Sequence, residues 1–402
     1  MGNNQWMKYR HRVVQNLLRI TLGPYSRLKY HVQADRFQEQ GDRAYLILFN
    51  HQTAFDQFFV GMSFRGPLYY VASEDIFSKG WVSSLIRYLV APIPIKKQVT
   101  DMAAVKNCIR VAREGGTIAL APEGNRTYSG KTGYMNPAIA SLARKLKLPI
   151  ALYRIEGGYG VHPRWSDSVR KGRMHAYVSR VIEPEEYAEL SGNELLALIE
   201  EGLHVDEGVA DGIFECVARA EYLERAMYVC PFCGLSEFES HGHEITCKRC
   251  GRTITYGADK QLTGVGFDFP FAFVSDWYDY QESFVNGLDL TQVTDEPIFR
   301  DRSSLSEVVI YKHKLLLRKE ASISLYGDRI VIDEGSSDML NLPFSEITAM
   351  SVLGRNKLNI YHDGHVYQLK SGKRFNALKY VNFYFRHKNI VKGELNGEFL
   401  GI

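Results

Sequence analysis

The sequence predicts an α/β protein with a mostly parallel sheet in its first half, followed by a small cysteine-rich unit and a β-rich region capped by a helix. Three observations support this order. Short, continuous apolar runs alternate with helical patterns, which is typical of strands buried on both faces. Two CxxC pairs follow between Cys230 and Cys250. After residue 302, strand patterns are separated by turns that contain Gly, Asp or Asn.

Six apolar runs in the first half are predicted to be strands. They cover Tyr45–Phe49, Leu68–Ala72, Pro92–Ile95, Thr117–Ala121, Ile150–Ile155 and Ala176–Ile182. Helices are predicted over Asp101–Glu114, which ends at a pair of glycines, and over Asn136–Leu146, which ends before a proline. The Glu-, Leu- and Ala-rich residues 185–227 are also predicted to be helical. This alternation predicts helices packed over a central sheet.

Length and charge allow two or three domains. The chain has 402 residues, of which 45% are hydrophobic and 24% charged. Its net charge of only +3 argues against a protein that binds nucleic acid along its whole length. We expect a basic segment at 1–30, an α/β domain at 31–227, the cysteine-rich unit at 228–256, an aromatic-rich connection at 257–301 and the β-rich domain at 302–392.

The first 30 residues contain six basic residues and no acidic one. Trp6, Val13, Leu17 and Ile20 recur at helical spacing among these cations, as in a helix that lies on an anionic membrane surface. A helix packed on the protein's own core has the same periodicity. No apolar run approaches the roughly 18–20 residues that span a bilayer, and no signal-peptide core is present. We therefore expect a cytoplasmic protein that binds peripherally to the inner face of the membrane.

Residues 50–56 read NHQTAFD and directly follow a predicted strand. In one interpretation Thr53 caps a helix, Asp56 returns to its amide as in a capping box, and His51 is only a polar residue at the strand end. In the other, His51 and Asp56 form a pair that removes a proton. On one helix the two side chains would stand about 140° apart, so the pair requires His51 in the turn and Asp56 in the first helical turn.

A second motif, APEGNRT, ends another predicted strand. Glu123, Gly124 and Arg126 supply an acid, a flexible backbone and a planar guanidinium group that matches phosphate oxygens. The run APIPIKK adds Lys96 and Lys97 at the end of a further strand. Because ligands bind at the carboxyl ends of strands in α/β sheets, we expect these residues to form one site with the His–Asp pair.

Both motifs resemble those of the glycerolipid acyltransferases, the family of 1-acylglycerol-3-phosphate acyltransferase. NHQTAFD resembles the family's H-x4-D block and APEGNRT its (F/V)PEG-x-R block, while PIPIKK and LPIALYRIEGG are similar to the second and fourth blocks. The resemblance covers about residues 30–190. The chain differs where the second block usually ends in Arg, and where Leu152-Tyr153 replace a second proline in the fourth.

The resemblance implies an acyltransferase sandwich and O-acyltransferase activity in phospholipid biosynthesis. The acyl donor would be acyl-CoA or acyl-carrier protein, and the acceptor a lysophospholipid, with 1-acylglycerol-3-phosphate expected. His51 would be the general base, and Asp56 would hold its tautomer. Arg126 and one of the two lysines would bind the acceptor's phosphate, and Glu123 would orient Arg126 or an acceptor hydroxyl. Two alternatives remain open: an acceptor without phosphate, and a catalytically idle fold that serves as a regulatory scaffold.

The cysteine-rich unit has the spacing of a metal site. Its pattern is Cys230-x2-Cys233-x13-Cys247-x2-Cys250, with a glycine after each pair. Four thiolates suit tetrahedral Zn²⁺, and glycine lets the backbone close around the sulfur. Two disulfides are the alternative, which a cytoplasmic location disfavours. We predict one structural Zn²⁺ in a zinc ribbon, with the nearby His241 and His243 outside its coordination shell.

The β-rich C-terminal region, seven strand patterns followed by a helix, resembles a pleckstrin-homology or GRAM-like module. Its excess of basic residues implies a phospholipid surface as its partner. The alternative is a solvated barrel that binds other proteins.

Overall fold

The computed structural model describes residues 6–78, 80–95, 101–290, 296–309, 313–395, 397 and 399. The chain divides into two compact units. The first contains the residues up to 164 together with residues 169–216, and the second contains residues 165–168 and the chain from residue 217.

The first unit is built on a seven-stranded sheet. Its strands are β1 (Val32–Ala34), β2 (Leu46–Phe49), β3 (Leu68–Ser73), β4 (Ile93–Ile95), β5 (Thr117–Leu120), β6 (Ile150–Glu156) and β7 (Met174–Ile182). They stand in the order β1-β7-β6-β2-β5-β3-β4. Strands β2 to β6 run parallel, β7 is antiparallel to β6, and β1 is parallel to β7. The predicted mostly parallel sheet is confirmed, with β1 as an additional strand.

Helices lie on both faces of this sheet. They are α1 (Tyr9–Tyr30), α2 (Asp56–Ser63), α3 (Trp81–Val90), α4 (Met102–Arg113), α5 (Ala138–Leu146), α6 (Gly158–Val161), α7 (Pro184–Ala188) and α8 (Gly192–Leu203). The carboxylate of Asp101 caps α4, because it accepts the amides of Ala103 and Ala104 at 3.0 and 3.1 Å. The predicted helical structure over residues 185–227 is wrong after Leu203, where glycines at 208 and 212 disfavour a helix.

Two apolar cores explain why the strands read as continuous apolar runs. Leu46 and Leu48 of β2 pack into the core formed with α4, α5 and α8. Ile47 and Phe49 of the same strand pack into the core formed with α1 and α2. Each fully buried side chain of this size contributes about 1.5–3 kcal/mol. The two cores together fix the sheet whose carboxyl edge carries the candidate site.

Helix α1 has one packed face and one exposed face. On the packed side, the His11 ring contacts the Tyr69 hydroxyl at 3.1 Å. Trp6, which precedes the helix, packs on the core and donates its indole N–H to the Ala91 carbonyl at 3.1 Å, so it is not part of the exposed side. The exposed side carries an apolar stripe formed by Tyr9, Val13, Leu17, Ile20 and Leu28. None of the described helices is both long and apolar enough to cross a bilayer.

The second unit begins with a small antiparallel ribbon. Its elements are β8 (Val229–Cys230), β9 (Gly234–Leu235), β10 (Phe238–His241), β11 (Glu244–Cys247), β12 (Thr253–Tyr256), β13 (Leu262–Gly264) and helix α9 (Val274–Asn286). Strands β10 to β13 form one sheet in sequence order, and β8 pairs with β9. Trp277 of α9 packs against Phe238 and donates to the Val229 carbonyl at 2.8 Å, which fastens the ribbon to the helix.

The rest of the second unit is a curled antiparallel sheet with a terminal helix. Its elements are β14 (Phe299–Val309), β15 (His313–Leu325), β16 (Arg329–Ile332), β17 (Leu340–Pro343), β18 (Ile347–Leu353), β19 (Lys357–His362), β20 (His365–Lys370) and α10 (Leu378–Lys392). The strand order is β17-β16-β15-β14-β20-β19-β18. The predicted fold, a β-rich region capped by a helix, is confirmed. Strand β15 runs without interruption from His313 to Leu325.

Candidate functional site

The His51 ring lies at the carboxyl edge of the first sheet, in the turn between β2 and α2. Its Nδ1 atom lies 2.7 Å from Oδ2 of Asp56, the first residue of α2. The His51 side chain is 25% exposed and the Asp56 side chain is fully buried. Because the carboxylate accepts the proton on Nδ1, Nε2 carries the lone pair that accepts a proton from another group. The structure thus brings the two predicted residues together.

The Asp56 carboxylate also organises the turn itself. It accepts the backbone amides of Gln52 at 2.8 Å and Thr53 at 2.9 Å, and the Thr53 hydroxyl at 2.6 Å. The helix begins at Asp56 with Phe55, and not Thr53, at the capping position. The return of Asp56 to the Thr53 amide, expected for a capping box, is therefore present together with the His–Asp contact. One carboxylate serves both interactions.

Glu123, in the loop after β5, connects two backbone segments. Its Oε1 accepts the His51 amide at 2.8 Å and its Oε2 accepts the Gly133 amide at 2.7 Å. The carboxyl group is buried. Burial raises the pKa of Glu123 to about 8, although the two amide donors favour the charged form. The described contacts therefore make Glu123 a brace for the backbone of the general-base candidate.

The APEGNRT loop holds the other side of His51. The Thr127 amide donates to the His51 carbonyl at 3.3 Å, so the His51 backbone is fixed at both its amide and its carbonyl. Gly124 has a φ of +70°, in the region that favours glycine. The Gly124 amide donates to the Ala121 carbonyl at 3.1 Å, which closes a tight turn directly after β5. Arg126 is half-buried in the same loop.

Two residues that the sequence analysis did not select support these loops. Asn50 donates to the Ile155 carbonyl at 2.8 Å and accepts the Ile155 amide at 2.7 Å, which ties the end of β2 to β6. Arg164 donates to the Arg126 carbonyl at 2.8 Å and stacks on Tyr128. The position of Asn50, a polar residue directly after an apolar strand, was a usable signal. Nothing in the sequence marks Arg164.

Helix α1 reaches the His51 turn through aromatic contacts. Tyr30 packs on Phe55, the residue before Asp56, with ring centroids 4.9 Å apart, and on His162 at 5.8 Å. Tyr25 contacts the same Phe55 ring. The exposed helix and the candidate site are therefore parts of one packed structure. The predicted Lys96 and Lys97, which follow β4, lie outside the described residues.

The four ribbon cysteines form a separate cluster in the second unit. Their Sγ atoms all lie within 4.8 Å of one another, with 3.8 Å between Cys230 and Cys250 and 3.6 Å between Cys233 and Cys247. These distances are too long for disulfides, whose sulfurs lie about 2.05 Å apart. They match the spacing of about 3.8 Å expected from four Zn–S bonds of about 2.3 Å. The four residues present therefore fit a tetrahedral metal ion.

The ribbon backbone is consistent with this cluster. The glycines that follow the two CxxC pairs, Gly234 and Gly251, have φ values of +78° and +72°. His241 and His243 have other contacts: His241 lies 3.3 Å from the Glu239 carboxylate, and His243 accepts the Arg219 amide at 3.3 Å. Among the described residues, the group that could hold a metal ion is thus four cysteines without histidine.

Comparison with known proteins identifies relatives of the first unit. Residues 28–155 match the family model of the acyltransferases. The curated 1-acyl-sn-glycerol-3-phosphate acyltransferase of Bacillus subtilis (strain 168) is 21% identical over 164 residues, which are 40% of this chain and 79% of that protein. The matched residues include both the His51 turn and the Glu123 loop.

Among solved structures, the 1-acyl-sn-glycerophosphate (LPA) acyltransferase PlsC from Thermotoga maritima is similar at 20% identity and a TM-score of 0.41, covering 49% of this chain and 80% of that chain. The Vps36 N-terminal PH domain is similar at 23% identity and a TM-score of 0.20, covering 26% and 86%.

Proposed function

We propose that the chain, whose residues 28–155 match the acyltransferase family model, transfers a fatty acyl group from an acyl thioester to the hydroxyl of 1-acylglycerol-3-phosphate. The donor is acyl-CoA or acyl-carrier protein. The observation that carries the proposal is the 2.7 Å contact between His51 Nδ1 and the buried Asp56 carboxylate at the edge of the sheet where ligands bind. The choice of 1-acylglycerol-3-phosphate as the acceptor is supported by the curated relative, which is a 1-acyl-sn-glycerol-3-phosphate acyltransferase.

In the proposed reaction, His51 acts as the general base. Its Nε2 takes the proton of the acceptor hydroxyl while the hydroxyl oxygen attacks the thioester carbonyl carbon. The resulting intermediate collapses, the C–S bond breaks, and the leaving thiolate takes the proton back from His51. Asp56 stabilises the imidazolium ion that forms between the two steps. No acyl-enzyme is needed, because the acceptor oxygen is the nucleophile.

Arg126 is proposed to bind the acceptor's phosphate, with Lys96 or Lys97 as a second cation. The guanidinium group presents paired donors to phosphate oxygens. Gly124 allows the tight loop that carries Arg126, and the Arg164 bond to the Arg126 carbonyl supports the position of this loop. Glu123 is proposed to contribute to the acceptor site through the His51 backbone that it holds.

A membrane contact through the first unit is proposed from its exposed apolar surface. The apolar stripe of α1 is accompanied by Trp81, Leu85 and Tyr88, which are exposed on α3. Helices α1 and α3 are neighbours, since Arg10 donates to the Tyr88 carbonyl at 2.8 Å. Contiguous apolar residues flanked by cations are typical of a protein that lies on an anionic bilayer. A peripheral location on the inner face of the membrane follows as a proposal.

Two accessory functions are proposed for the second unit. The four cysteines hold one structural Zn²⁺, because thiolate ligands favour zinc and four of them leave no open position for catalysis. The seven-stranded sheet with its terminal helix is proposed to be a pleckstrin-homology or GRAM-like module for a phospholipid surface. Its antiparallel order and the position of α10 directly after the last strand support this assignment.

The deciding experiment is an acyl-transfer assay of the purified chain on lipid vesicles. Acceptors should include 1-acylglycerol-3-phosphate, other lysophospholipids and a monoacylglycerol, each tested with acyl-CoA and with acyl-carrier protein. We expect transfer to 1-acylglycerol-3-phosphate, and no transfer by His51→Ala. Equal transfer to the monoacylglycerol would show that the enzyme does not recognise the acceptor's phosphate, and would contradict that part of the proposal. Absence of transfer with every pair would support the idle scaffold instead.

A further inference from the structure

A second cationic site lies at the opposite edge of the first sheet. A cavity of about 230 Å³ is lined by Arg12, Asn16, Arg19, Arg36, Arg65 and Gly66. Arg65 precedes β3, and Arg36 follows the end of β1, which runs opposite to the parallel strands. Both residues therefore lie at the amino ends of strands β2 to β6, whereas His51 follows a carboxyl end. Strands β2 and β3, which contain four and six residues, separate the two edges by roughly 13–20 Å.

The arginine charges of this cavity have no nearby acidic partner among the described residues, since no described carboxylate lines it. In the part of the chain that the structure describes, none of the four guanidinium groups has an ion-pair or hydrogen-bond partner. The neighbouring acid, Asp35, is engaged with His175 at 2.7 Å. Four like charges around one small space repel one another, and a bound anion with several oxygens relieves this repulsion.

The cavity adjoins the surface that is proposed to meet the membrane. The α1 residues of the cavity are spaced at i, i+4 and i+7 along the helix: Arg12, Asn16 and Arg19. Asn16 and Arg19 therefore lie within about 40° of Arg12 around the helix axis. The apolar stripe occupies the adjacent arc, from about 60° to 160°. When the stripe enters a bilayer, the arginines stand at the level of the lipid headgroups. Three of the four arginines are exposed, so the cavity opens to solvent.

We propose that this four-arginine cavity binds the phosphate group of an anionic phospholipid of the bilayer on which α1 lies. It is a second anion site, distinct from the acceptor site at Arg126. Planar guanidinium groups pair with phosphate oxygens at fixed geometry, which gives the cavity a specificity that a diffuse basic surface lacks. The proposal rests on the membrane contact of α1 but not on acyl transfer.

The test uses the full zinc-loaded chain and a soluble lipid. Dihexanoyl phosphatidylglycerol, kept below its micelle concentration, is titrated by calorimetry into the Arg126→Ala chain, in which the proposed acceptor site is disabled. We expect one lipid bound per chain. Adding Arg19→Gln and Arg65→Gln should weaken this binding by about 10-fold or more, since a hydrogen bond to a charged group contributes about 1.5–3 kcal/mol.

A matched control removes the same two charges elsewhere. Arg27 lies on α1 outside the cavity and Arg113 is exposed on α4. Arg27→Gln with Arg113→Gln should leave the binding unchanged. Equal loss in the control, or no binding in the Arg126→Ala chain, would overturn the site. Inorganic phosphate that binds as tightly as the lipid would overturn the lipid as its ligand.

Stability supplies an independent measurement. Because the four guanidinium groups repel one another, Arg19→Gln with Arg65→Gln should raise the Tm of the ligand-free chain above that of the control variant. A lower Tm would mean that the arginines hold the fold instead of a ligand, and would overturn the proposal.

Discussion

The His51 turn and the cysteine ribbon both bring reactive side chains together, but different forces hold them. At His51 the frame is made of protein groups: Glu123 holds the amide, Thr127 the carbonyl and Asp56 the ring. In the ribbon, the four sulfurs lie within 4.8 Å of one another, an arrangement that could hold a metal ion. The His51 turn is thus preorganised by protein groups around the sheet, whereas the ribbon is proposed to depend on a bound metal ion.

Metal removal should have the largest effect, and only in the ribbon. Structural zinc contributes roughly 10–16 kcal/mol to the folding of zinc-finger peptides. We expect one Zn²⁺ per chain by elemental analysis. Chelation, or Cys247→Ser, should accelerate amide exchange across residues 228–256 while exchange around His51 stays slow. Cys216→Ser is the control, because this thiol is outside the cluster. Slow amide exchange in the ribbon after metal removal would contradict the proposal that its folding depends on zinc.

His51→Ala should abolish turnover without unfolding the chain. Loss of a general base costs about 10²–10⁴-fold in rate. Asp56→Asn should cost less but remain severe, because the ring loses its charged partner. The kinetics of both variants are compared with their Tm values. If Asp56 serves only the turn, Asp56→Asn will lower stability by about 1 kcal/mol and leave turnover intact.

Arg126→Ala tests which substrate the APEGNRT loop binds. We expect the KM for the acceptor to rise roughly 10–100-fold, as for the loss of a charged hydrogen bond of about 1.5–3 kcal/mol, with little change for the donor. Arg113→Ala, on the exposed side of α4, is the matched control. An equal rise in both KM values would remove Arg126 from the acceptor site. Lys96→Ala and Lys97→Ala, measured separately, would identify the second cation.

Glu123 should make the stability of the first unit depend on pH. Its pKa is about 8 when folded against 4.5 when exposed, so folding binds a proton between these values. The resulting stabilisation is complete below pH 4.5 and is lost as the pH rises to 8, by at most about 1.4 kcal/mol per pH unit. Urea unfolding between pH 5 and 8 should show this loss in the natural chain and not in Glu123→Gln. Parallel curves would contradict it.

The smallest effects on turnover and zinc binding are expected from substitution of one loop glycine in each region. These two substitutions allow the most direct comparison of the regions. Gly124 and Gly251 both have positive φ, and among the described residues no atom lies within 4 Å of an added Cβ at either. Alanine should therefore cost only backbone strain, about 1–2 kcal/mol. Gly124→Ala should lower turnover and leave zinc bound, whereas Gly251→Ala should weaken zinc binding and leave turnover intact. Loss of zinc in Gly124→Ala, or loss of turnover in Gly251→Ala, would mean that the two regions do not function independently.

The sequence predicted the features that rest on local pattern. Continuous apolar runs located β2 to β7, and CxxC spacing located the sulfur cluster. The three-residue β1 is too short to give such a pattern. Trp6 fits the helical period of the apolar stripe, but its indole bonds Ala91, a partner 85 residues away that periodicity does not reveal.

Features assembled from distant segments were not predictable. Arg164 supports the Arg126 loop from another part of the chain, and no motif surrounds it. The four-arginine cavity combines residues from α1, the end of β1 and the turn before β3. Each arginine alone resembles an ordinary surface residue, and only the sheet order brings them together.

The loop of residues 165–168 has a consequence for inheritance. It lies between two stretches of the first unit, yet it belongs to the second unit, where Trp165 is fully buried, packs on Tyr256 and accepts a hydrogen bond from Arg225. A single recombination event near residue 217 would transfer the second unit without this tryptophan. The two units are therefore expected to be inherited together, and a gene fragment that starts at residue 217 encodes an incomplete core.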